Sequence, residues 1–377
     1  MELLSARVIE SFLTHSQSEL AFYSTQFAEA LAEDLQTFPV EPAADPTGAD
    51  SLGAARQADN LFNALRIPIY FGQSPSAQIE MWERTLTILR NSDERRYEAL
   101  HKGTPFYFLG IASYLGQDFE RALFYMDCAL DQDFRLHGPR WYRIPSGMFV
   151  RLDDVPDTQA GRELVRDARS LFESCGNAIA ADGGTHLSLD GYRARLVNYA
   201  IQQEPELRSV VTAFLSFLLE ILPRRIQLAL APVGVGTGEP FLLHLFKGAV
   251  LFETLLRASP AGRSVVTRNP GATLSHLLKS PAMLQGLMLN GPPKSFSVHT
   301  FADVLAGIQA DAASGFKFND RAIRATWALR NTTGHNLAWP VRPTTKVYEQ
   351  LFILVLGSIM LAINNLYQEH MLETGTA

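Results

Sequence analysis

The sequence predicts an all-α protein with a packed hydrophobic core. Along nearly every long segment, apolar residues recur at intervals of three and four positions, and few stretches alternate apolar and polar residues as strands do. Hydrophobic residues make up 47% of the 377 positions and charged residues 19%, a balance typical of globular proteins. This length suffices for two or three domains at roughly 100–200 residues each.

The helical pattern is interrupted by one long polar segment near the N-terminus. Residues 39–53 are rich in proline and glycine, which predicts a loop or disordered insertion. We place a domain boundary near residues 185–205, guided by Gly183-Gly184 and by the change in charge, and predict domains at 1–195 and 196–377. The predicted helices cover roughly residues 55–68, 76–91, 94–100, 160–176, 187–202, 205–230, 240–258, 272–288, 298–313, 318–333 and 345–368.

Residues 106–133 (FYFLGIASYLGQDFERALFYMDCALDQD) predict a hairpin of two antiparallel helices. Leu109-Gly110, Ala122 and Ala129 follow a spacing at which small residues let two helices approach closely, and Gly116-Gln117-Asp118 forms the turn. This unit resembles a tetratricopeptide repeat, although an ordinary helical hairpin gives the same pattern. Because one repeat cannot bury its own faces, flanking helices are expected to cover it.

The segment after this hairpin is predicted to be an extended connector. Residues 134–154 contain two prolines, two glycines and four arginines before the first acidic residue. Arginines beside Trp141 and Tyr142 fit either a polar connector or a surface that stacks on a base.

Composition and charge favour a soluble, cytoplasmic protein. Two cysteines are too few for a disulfide framework, and the N-terminal residues lack the pattern of a secretory signal. The apolar stretch 351–363 is shorter than the ~20 residues that span a bilayer, so we predict a buried core helix. The first hundred residues hold fifteen acids and seven arginines, whereas residues 261–347 hold ten Lys/Arg and three Asp. A polyanion bound by the basic part fits this asymmetry, as does an unevenly charged surface.

The segment 321–339 (RAIRATWALRNTTGHNLAW) holds the candidate catalytic residues. Ile323, Trp327 and Arg330 recur at i, i+4 and i+7, so Arg330 shares a helical face with apolar residues. Gly334 is a natural end for this helix, and a break there would let His335 turn back towards Arg330.

Arg330-Asn331-x-x-x-His335 resembles the R-x4-H motif of the HEPN superfamily, and the likeness covers roughly residues 200–370. The resemblance implies a helical bundle that dimerises and a metal-independent ribonuclease site. It therefore extends the predicted fold to a helical-repeat-like N-terminal region followed by a HEPN-type bundle.

The implied chemistry uses the 2′-hydroxyl of RNA as the nucleophile, so no metal or cofactor is expected. His335 would transfer protons, Arg330 would stabilise the phosphate in the transition state, and Asn331 would orient the histidine or bind a phosphate oxygen. The products would be a 2′,3′-cyclic phosphate and a free 5′-hydroxyl. RNA binding is assigned to Asn336, Arg324, Arg342 and Lys346.

Other sequence features were assigned no chemical role. A second R-x4-H match, Arg96 to His101, lacks the asparagine and lies in the acidic part, so we interpret it as incidental. The sequence shows no HExxH or GxSxG motif, and we expect no histidine–carboxylate cluster. Histidines elsewhere are expected to be core or capping residues, namely His186, His244, His276 and His299.

The predicted function is regulated RNA cleavage of the kind used in defence or by toxins. A protein or nucleotide regulator would act on the N-terminal region, and the C-terminal bundle would form a homodimer. The alternative is a non-catalytic helical adaptor, or an RNA- or nucleotide-binding protein whose HEPN-like bundle serves only for dimerisation.

Overall fold

The computed structural model describes residues 7–8, 20–37, 59–66, 74–155, 159–202, 204, 207–231, 238–293, 301–333 and 343–372. Within these residues the regular structure is entirely helical and contains no strand, which confirms the all-α prediction. The predicted loop at 39–53 lies outside them.

The chain divides into two compact units. One contains Met1–Phe149 with Asp153–Arg162, and the other contains Val150–Leu152 with Glu163–Thr376. Residues 59–66 are also helical. The helices of the first unit are α1 (Leu20–Thr37), α2 (Pro75–Ser92), α3 (Glu94–Ala99), α4 (Gly103–Leu115), α5 (Phe119–His137) and α6 (Pro145–Val150).

Helices α4 and α5 form the antiparallel hairpin that the sequence predicted. A Cβ at Gly110 would lie 3.0 Å from Met126 Cε and 3.6 Å from the Ala122 carbonyl oxygen, so the glycine permits the close approach. In the turn, Gln117 has a φ of 61°, and the Asp118 carboxylate accepts a hydrogen bond from the Arg121 amide at 3.1 Å. These contacts confirm a hairpin whose small residues lie at the helix interface.

Flanking helices cover this hairpin, as expected for a unit that cannot bury its own faces. Helix α2 packs against both α1 and α4. Its Trp82 stacks on Phe108 at 6.5 Å between ring centroids and meets Phe62 edge-on at 6.3 Å. Aromatic rings therefore fill the core of the first unit.

The prediction of an extended connector at residues 134–154 is wrong, because most of this segment is helical. Helix α5 runs to His137, a 3-10 helix occupies Gly138–Arg143, and α6 follows. Pro145 begins a helix here, at a position where the missing amide hydrogen costs little. Trp141 is 1% exposed, which rules out base stacking by this ring in the observed fold.

The second unit is built around four long helices that pack on one another. The helix Phe301–Ala313 packs against the helix Phe318–Thr333. The long apolar helices supply most of the buried side chains. In chain order the helices are α7 (Gln159–Ala181), α8 (Leu189–Tyr192), α9 (Tyr199–Gln202), α10 (Arg208–Leu230), α11 (Glu239–Ala258), α12 (Pro260–Arg268), α13 (Leu274–Lys279), α14 (Pro281–Gly286), α15 (Phe301–Ala313), α16 (Phe318–Thr333) and α17 (Thr345–Leu366), with a π-helical segment at Arg193–Asn198.

The core of this unit lies where α10, α11, α16 and α17 meet. A Cβ at Gly248 would lie 2.5 Å from the Phe217 ring and 2.6 Å from Val355. Gly248 therefore allows α11 to contact α10 and α17 closely.

One predicted helix, at residues 272–288, is in fact two short helices. Helix α13 ends at Lys279, and Ser280 caps α14 by accepting a hydrogen bond from the Met283 amide at 3.2 Å. Pro281 begins the second helix, since its ring is tolerated in a first turn but breaks a helix interior.

The glycine pair at 183–184 is part of a packed turn within the second unit. Gly183 has a φ of 76°, and a Cβ at Gly184 would lie 2.5 Å from both Ile179 and Phe318. Gly184 allows tight packing and Gly183 supplies a positive φ, so their presence does not mark the division between the units. That division falls at residues 150–163, earlier than the boundary predicted after residue 195.

The apolar C-terminal helix α17 packs against α10, α11 and α16. Residues 351–363 are almost all buried, in agreement with the predicted core helix. With 22 residues the helix is long and apolar enough to cross a membrane by composition alone, but 72% of its most apolar window is buried within the structure. Burial is therefore the observation that favours a core role.

Candidate functional site

Helix α16 places Arg330 at the rim of the core of the second unit. Ile323 and Trp327 are buried on the same face, at 0% and 6% exposure, while the Arg330 side chain is 37% exposed. The helix ends at Thr333, one turn beyond Arg330. The guanidinium is therefore anchored on a buried helix and reaches the surface near its C-terminus.

A buried carboxylate on α11 orients this guanidinium. Arg330 Nε donates to Glu253 Oε2 at 2.7 Å, and the Glu253 side chain is only 9% exposed. The other oxygen, Oε1, accepts hydrogen bonds from Arg257 Nε and Nη2 at 3.0 and 2.8 Å. Two guanidinium groups thus share one carboxylate, and the charge-assisted bonds fix its direction.

The geometry leaves the outer end of Arg330 available for a ligand. An arginine has five N–H donors, and among the described residues Arg330 uses its Nε alone in a bond to the protein. The Nη groups carry the other four donors and belong to the more distal part of the side chain. This arrangement suits recognition of a phosphate oxygen.

The remaining predicted site residues are only partly within the described structure. Asn331 is half-buried after Arg330, and Lys346 is exposed in the first turn of α17. His335, Asn336 and Arg342 lie outside the described residues. The structure thus describes Arg330, Asn331 and Lys346 but not their arrangement around the histidine.

Arg324, assigned to RNA binding, is engaged in an ion pair within the fold. Its Nε lies 2.6 Å from Asp311 Oδ2, and the two side chains are 12% and 6% exposed. The guanidinium also lies over the Phe316 ring at 5.0 Å. A surface depression of about 460 Å³ includes Arg324, Phe316 and Lys317 in its lining. Any contact from Arg324 to RNA would compete with Asp311.

A second cluster of polar residues lies in the first unit, contrary to the expectation that the chain has no histidine–carboxylate cluster. His101, Asp133 and His137 each offer a ligand atom, and these atoms lie within 4.8 Å of one another. His101 belongs to the R-x4-H match interpreted as incidental, whose Arg96 instead pairs with Asp93 at 3.0 Å.

His101 is held between two carboxylates. Its Nε2 lies 3.1 Å from Asp133 Oδ1, and its Nδ1 lies 3.4 Å from Asp59 Oδ1, too poorly aligned for a hydrogen bond. Ser146 Oγ donates to the other oxygen of Asp133, and Thr104 Oγ1 donates to Asp59 Oδ1 at 2.8 Å. We call Asp59, His101, Asp133 and His137 the histidine–carboxylate cluster.

The electrostatics of this cluster follow from burial and from the two acids. Burial lowers the pKa of His101, but the hydrogen bond with Asp133 and the Coulombic attraction of Asp133 and Asp59 outweigh it and raise the pKa to about 9. Burial is also the main cause of the lowered pKa of His137. For Asp59, burial opposes ionisation, yet contacts with His101 and Thr104 bring the net pKa below its ordinary value.

Sequence reasoning missed this cluster because its members come from distant positions. One local clue was available, since Asp133 and His137 are four residues apart and therefore share a face of α5. Nothing local connects that pair to Asp59 or His101.

His244 and His276 have the core and capping roles that the sequence predicted, whereas His186 is exposed and lies outside any helix. His244 is 1% exposed, with Nδ1 2.5 Å from the Tyr348 hydroxyl and Nε2 2.7 Å from the Phe217 carbonyl oxygen. His276 caps α13, its Nδ1 accepting from the Thr273 amide at 3.1 Å. His299 lies outside the described residues.

Comparison of the chain with protein-family models, with curated proteins and with solved structures gives no match.

Proposed function

We propose that this chain is a metal-independent endoribonuclease that cleaves RNA by attack of the 2′-hydroxyl on the adjacent phosphate. The observation that carries the proposal is the position of Arg330. It lies in an Arg-Asn-x-x-x-His motif, at the end of a buried helix, with its Nε on a buried carboxylate and its side chain reaching the surface.

In this mechanism Arg330 stabilises the negative charge that develops on the phosphate. Because Glu253 fixes the Nε, the distal donors approach a phosphate without first losing rotamer freedom. Glu253 is a positioning residue, since it acts through Arg330. Asn331 supplies a second polar group to the phosphate or to the histidine.

His335 supplies one of the two proton transfers, and water supplies the other. The histidine either takes the 2′-hydroxyl proton as a base or donates a proton to the departing 5′-oxygen as an acid. The 2′-oxygen–phosphorus bond forms while the phosphorus–5′-oxygen bond breaks, which leaves a 2′,3′-cyclic phosphate and a 5′-hydroxyl. Asn336, Arg324, Arg342 and Lys346 would bind neighbouring phosphates, with Arg324 leaving Asp311 to do so.

The proposal includes a homodimer formed through the C-terminal bundle, and a regulator acting on the helical N-terminal region. Together with RNA cleavage, these features suit a protein of defence or of toxin type. The non-catalytic alternative, an adaptor with a helical hairpin, is favoured by the ion pair of Arg330 with Glu253, because a fold needs both members of such a pair even without any ligand: loss of one leaves the other charge without its partner.

The test is cleavage of mixed RNA by the purified full chain in EDTA. Wild type is compared with Arg330→Ala, Arg330→Lys and His335→Ala, and with Arg268→Ala as a control for the loss of one exposed arginine from the same basic part of the sequence. We expect wild type and the control to cut RNA and leave cyclic phosphate ends, and DNA to resist.

The expected loss of rate is about 100-fold or more for Arg330→Ala and for His335→Ala, since removal of one charge-stabilising donor costs roughly 10²–10³ in rate. Lysine at position 330 should restore little of the cleavage activity, because its ammonium group lacks the planar set of donors of a guanidinium. Equal cutting by wild type, Arg330→Ala and His335→Ala, or no cutting by a folded wild type with any RNA class, supports the adaptor instead.

A further inference from the structure

We infer that the histidine–carboxylate cluster of the first unit binds one divalent cation of the zinc class, with His101, Asp133 and His137 as its ligands. The inference is independent of the proposed nuclease, whose residues belong to the second unit and need no metal. The observations that carry it are the donor set, the spacing of the donors, and the space beside them.

The donor set is two imidazoles and a carboxylate, the combination that zinc accepts in many protein sites. Zinc–nitrogen and zinc–oxygen bonds are about 2.0–2.2 Å, so tetrahedral ligand atoms lie about 3.3 Å apart. His101 Nε2 and Asp133 Oδ1 are 3.1 Å apart and already fit this separation. All three ligand atoms lie within 4.8 Å of one another, so His137 would have to move slightly inward.

The helix arrangement favours this movement of His137. Asp133 and His137 are one turn apart on α5, which places both side chains on the face that meets His101. The His137 ring stands edge-on to the His101 ring, at 5.8 Å between centroids and 87° between planes. His137 is half-buried at the end of α5.

Residues next to the proposed ligands orient them, as residues that contact the ligands do in known metal sites. Asp59 faces Nδ1 of His101, the nitrogen opposite to the one that faces Asp133, and so sets the orientation of the ring. Thr104 in turn donates a hydrogen bond to Asp59, and Ser146 donates one to the Asp133 oxygen that does not face His101. His101 Nδ1 is buried and has no hydrogen-bond partner in the described structure, although Asp59 is near.

There is space for an ion and for a further ligand. A cavity of about 160 Å³ lies against the cluster and is lined also by Asn63 and Arg66. Gly103 lies directly beside it, and a Cβ there would be 2.1 Å from Asp133 Oδ1 and 2.7 Å from the His101 ring. Absence of a side chain at this position keeps the ligands accessible. The cavity leaves a fourth coordination position for water or a small anion.

The experiment measures metal binding by the untagged, full-length protein after treatment with EDTA. Co²⁺ is titrated while the absorption bands of a tetrahedral site are followed, and Zn²⁺ binding is measured by calorimetry. We expect one Co²⁺ per chain, displaced by one Zn²⁺, and a higher thermal midpoint of unfolding with Zn²⁺ present.

His137→Gln is the deciding variant. Replacing His101 would leave the buried carboxylate of Asp133 and the half-buried carboxylate of Asp59 without their shared partner and destabilise the fold, whereas position 137 is half-buried. We expect His137→Gln to lower Zn²⁺ affinity more than about tenfold. We expect Asp59→Asn to lower it about 10–100-fold, because Asp59 orients the ligand His101 without binding the ion. His276→Gln, which alters an exposed histidine in the second unit, should bind like wild type.

Wild type that shows no saturable binding of Co²⁺ or Zn²⁺ would overturn the inference. Equal affinity in wild type and a folded His137→Gln would overturn it as well, because the ion would then lie elsewhere. Circular dichroism of each variant confirms folding. The readout uses no RNA, so failure here and failure of the nuclease proposal are separate results.

Discussion

A fall in pH should destabilise the second unit through the buried histidine of α11, His244. Burial is the main cause that lowers its pKa to about 4, against the attraction of Glu220 and with smaller lowering effects from Lys247 and Arg224. In the neutral form Nε2 donates to the Phe217 carbonyl oxygen, and Nδ1 accepts from the Tyr348 hydroxyl.

The size of the effect follows from the difference between the folded and unfolded pKa values. In the unfolded chain His244 takes up a proton near pH 6.5, whereas in the folded chain it does so near pH 4. Acidification over this interval therefore favours the unfolded chain. A difference of about 2.5 units corresponds to about 3 kcal/mol, fully present above pH 6.5 and lost as the pH falls to 4.

The assay compares wild type with His244→Gln in urea unfolding between pH 7.5 and 4. Other titrating groups contribute to both proteins, so the difference between their free energies of unfolding isolates His244. We expect wild type to lose about 3 kcal/mol more than the variant over this range. Hydrogen exchange of peptides from α11 (Glu239–Ala258) restricts the measurement to the second unit. Parallel pH profiles for the two proteins would refute the reasoning.

Two further predictions concern the second unit. Glu253→Gln should reduce RNA cleavage about tenfold or more while RNA binding changes little, because the amide no longer orients Arg330; single-turnover rates and filter binding measure the two effects. Unchanged cleavage would mean that Arg330 needs no orientation. Gly248→Ala should lower the free energy of unfolding by about 1–3 kcal/mol, since its methyl group would lie 2.5 Å from the Phe217 ring. In the same denaturation assay Gly271→Ala is the control, because a Cβ there has only Asn269 Oδ1 nearby, at 3.7 Å. Equal decreases in the free energy of unfolding of the two variants would contradict the packing argument.

The helices themselves were well predicted because the information is local. A helix buries residues three and four positions apart, so α10, α11, α16 and α17 begin and end within a few residues of the predicted limits. The errors occurred at proline and glycine, because each of these residue types is found in two different structural contexts. Pro145 begins a helix although prolines suggested an extended connector, and Gly184 permits close packing although the glycine pair suggested a boundary.

The candidate sites also have a part that local sequence predicts and a part that depends on the fold. Arg330 was predicted because its motif is contiguous, yet its partner Glu253 lies 77 positions away and no pattern in the sequence joins them. Whether an arginine at the end of an apolar stripe is buried, paired or exposed depends on the helix that packs against it. That choice is made by the fold.

By itself the sequence determined the helical class, the hairpin at residues 106–133 and the position of Arg330 on a partly apolar face, because each depends on spacing within one helix. Only the tertiary structure decided that Glu253 holds Arg330, and that His101 lies between Asp59 and Asp133. The physical reason is that a charged side chain removed from water needs a partner of opposite charge or a hydrogen bond. The packing of the helices decides which residue, however distant in the sequence, lies close enough to be that partner.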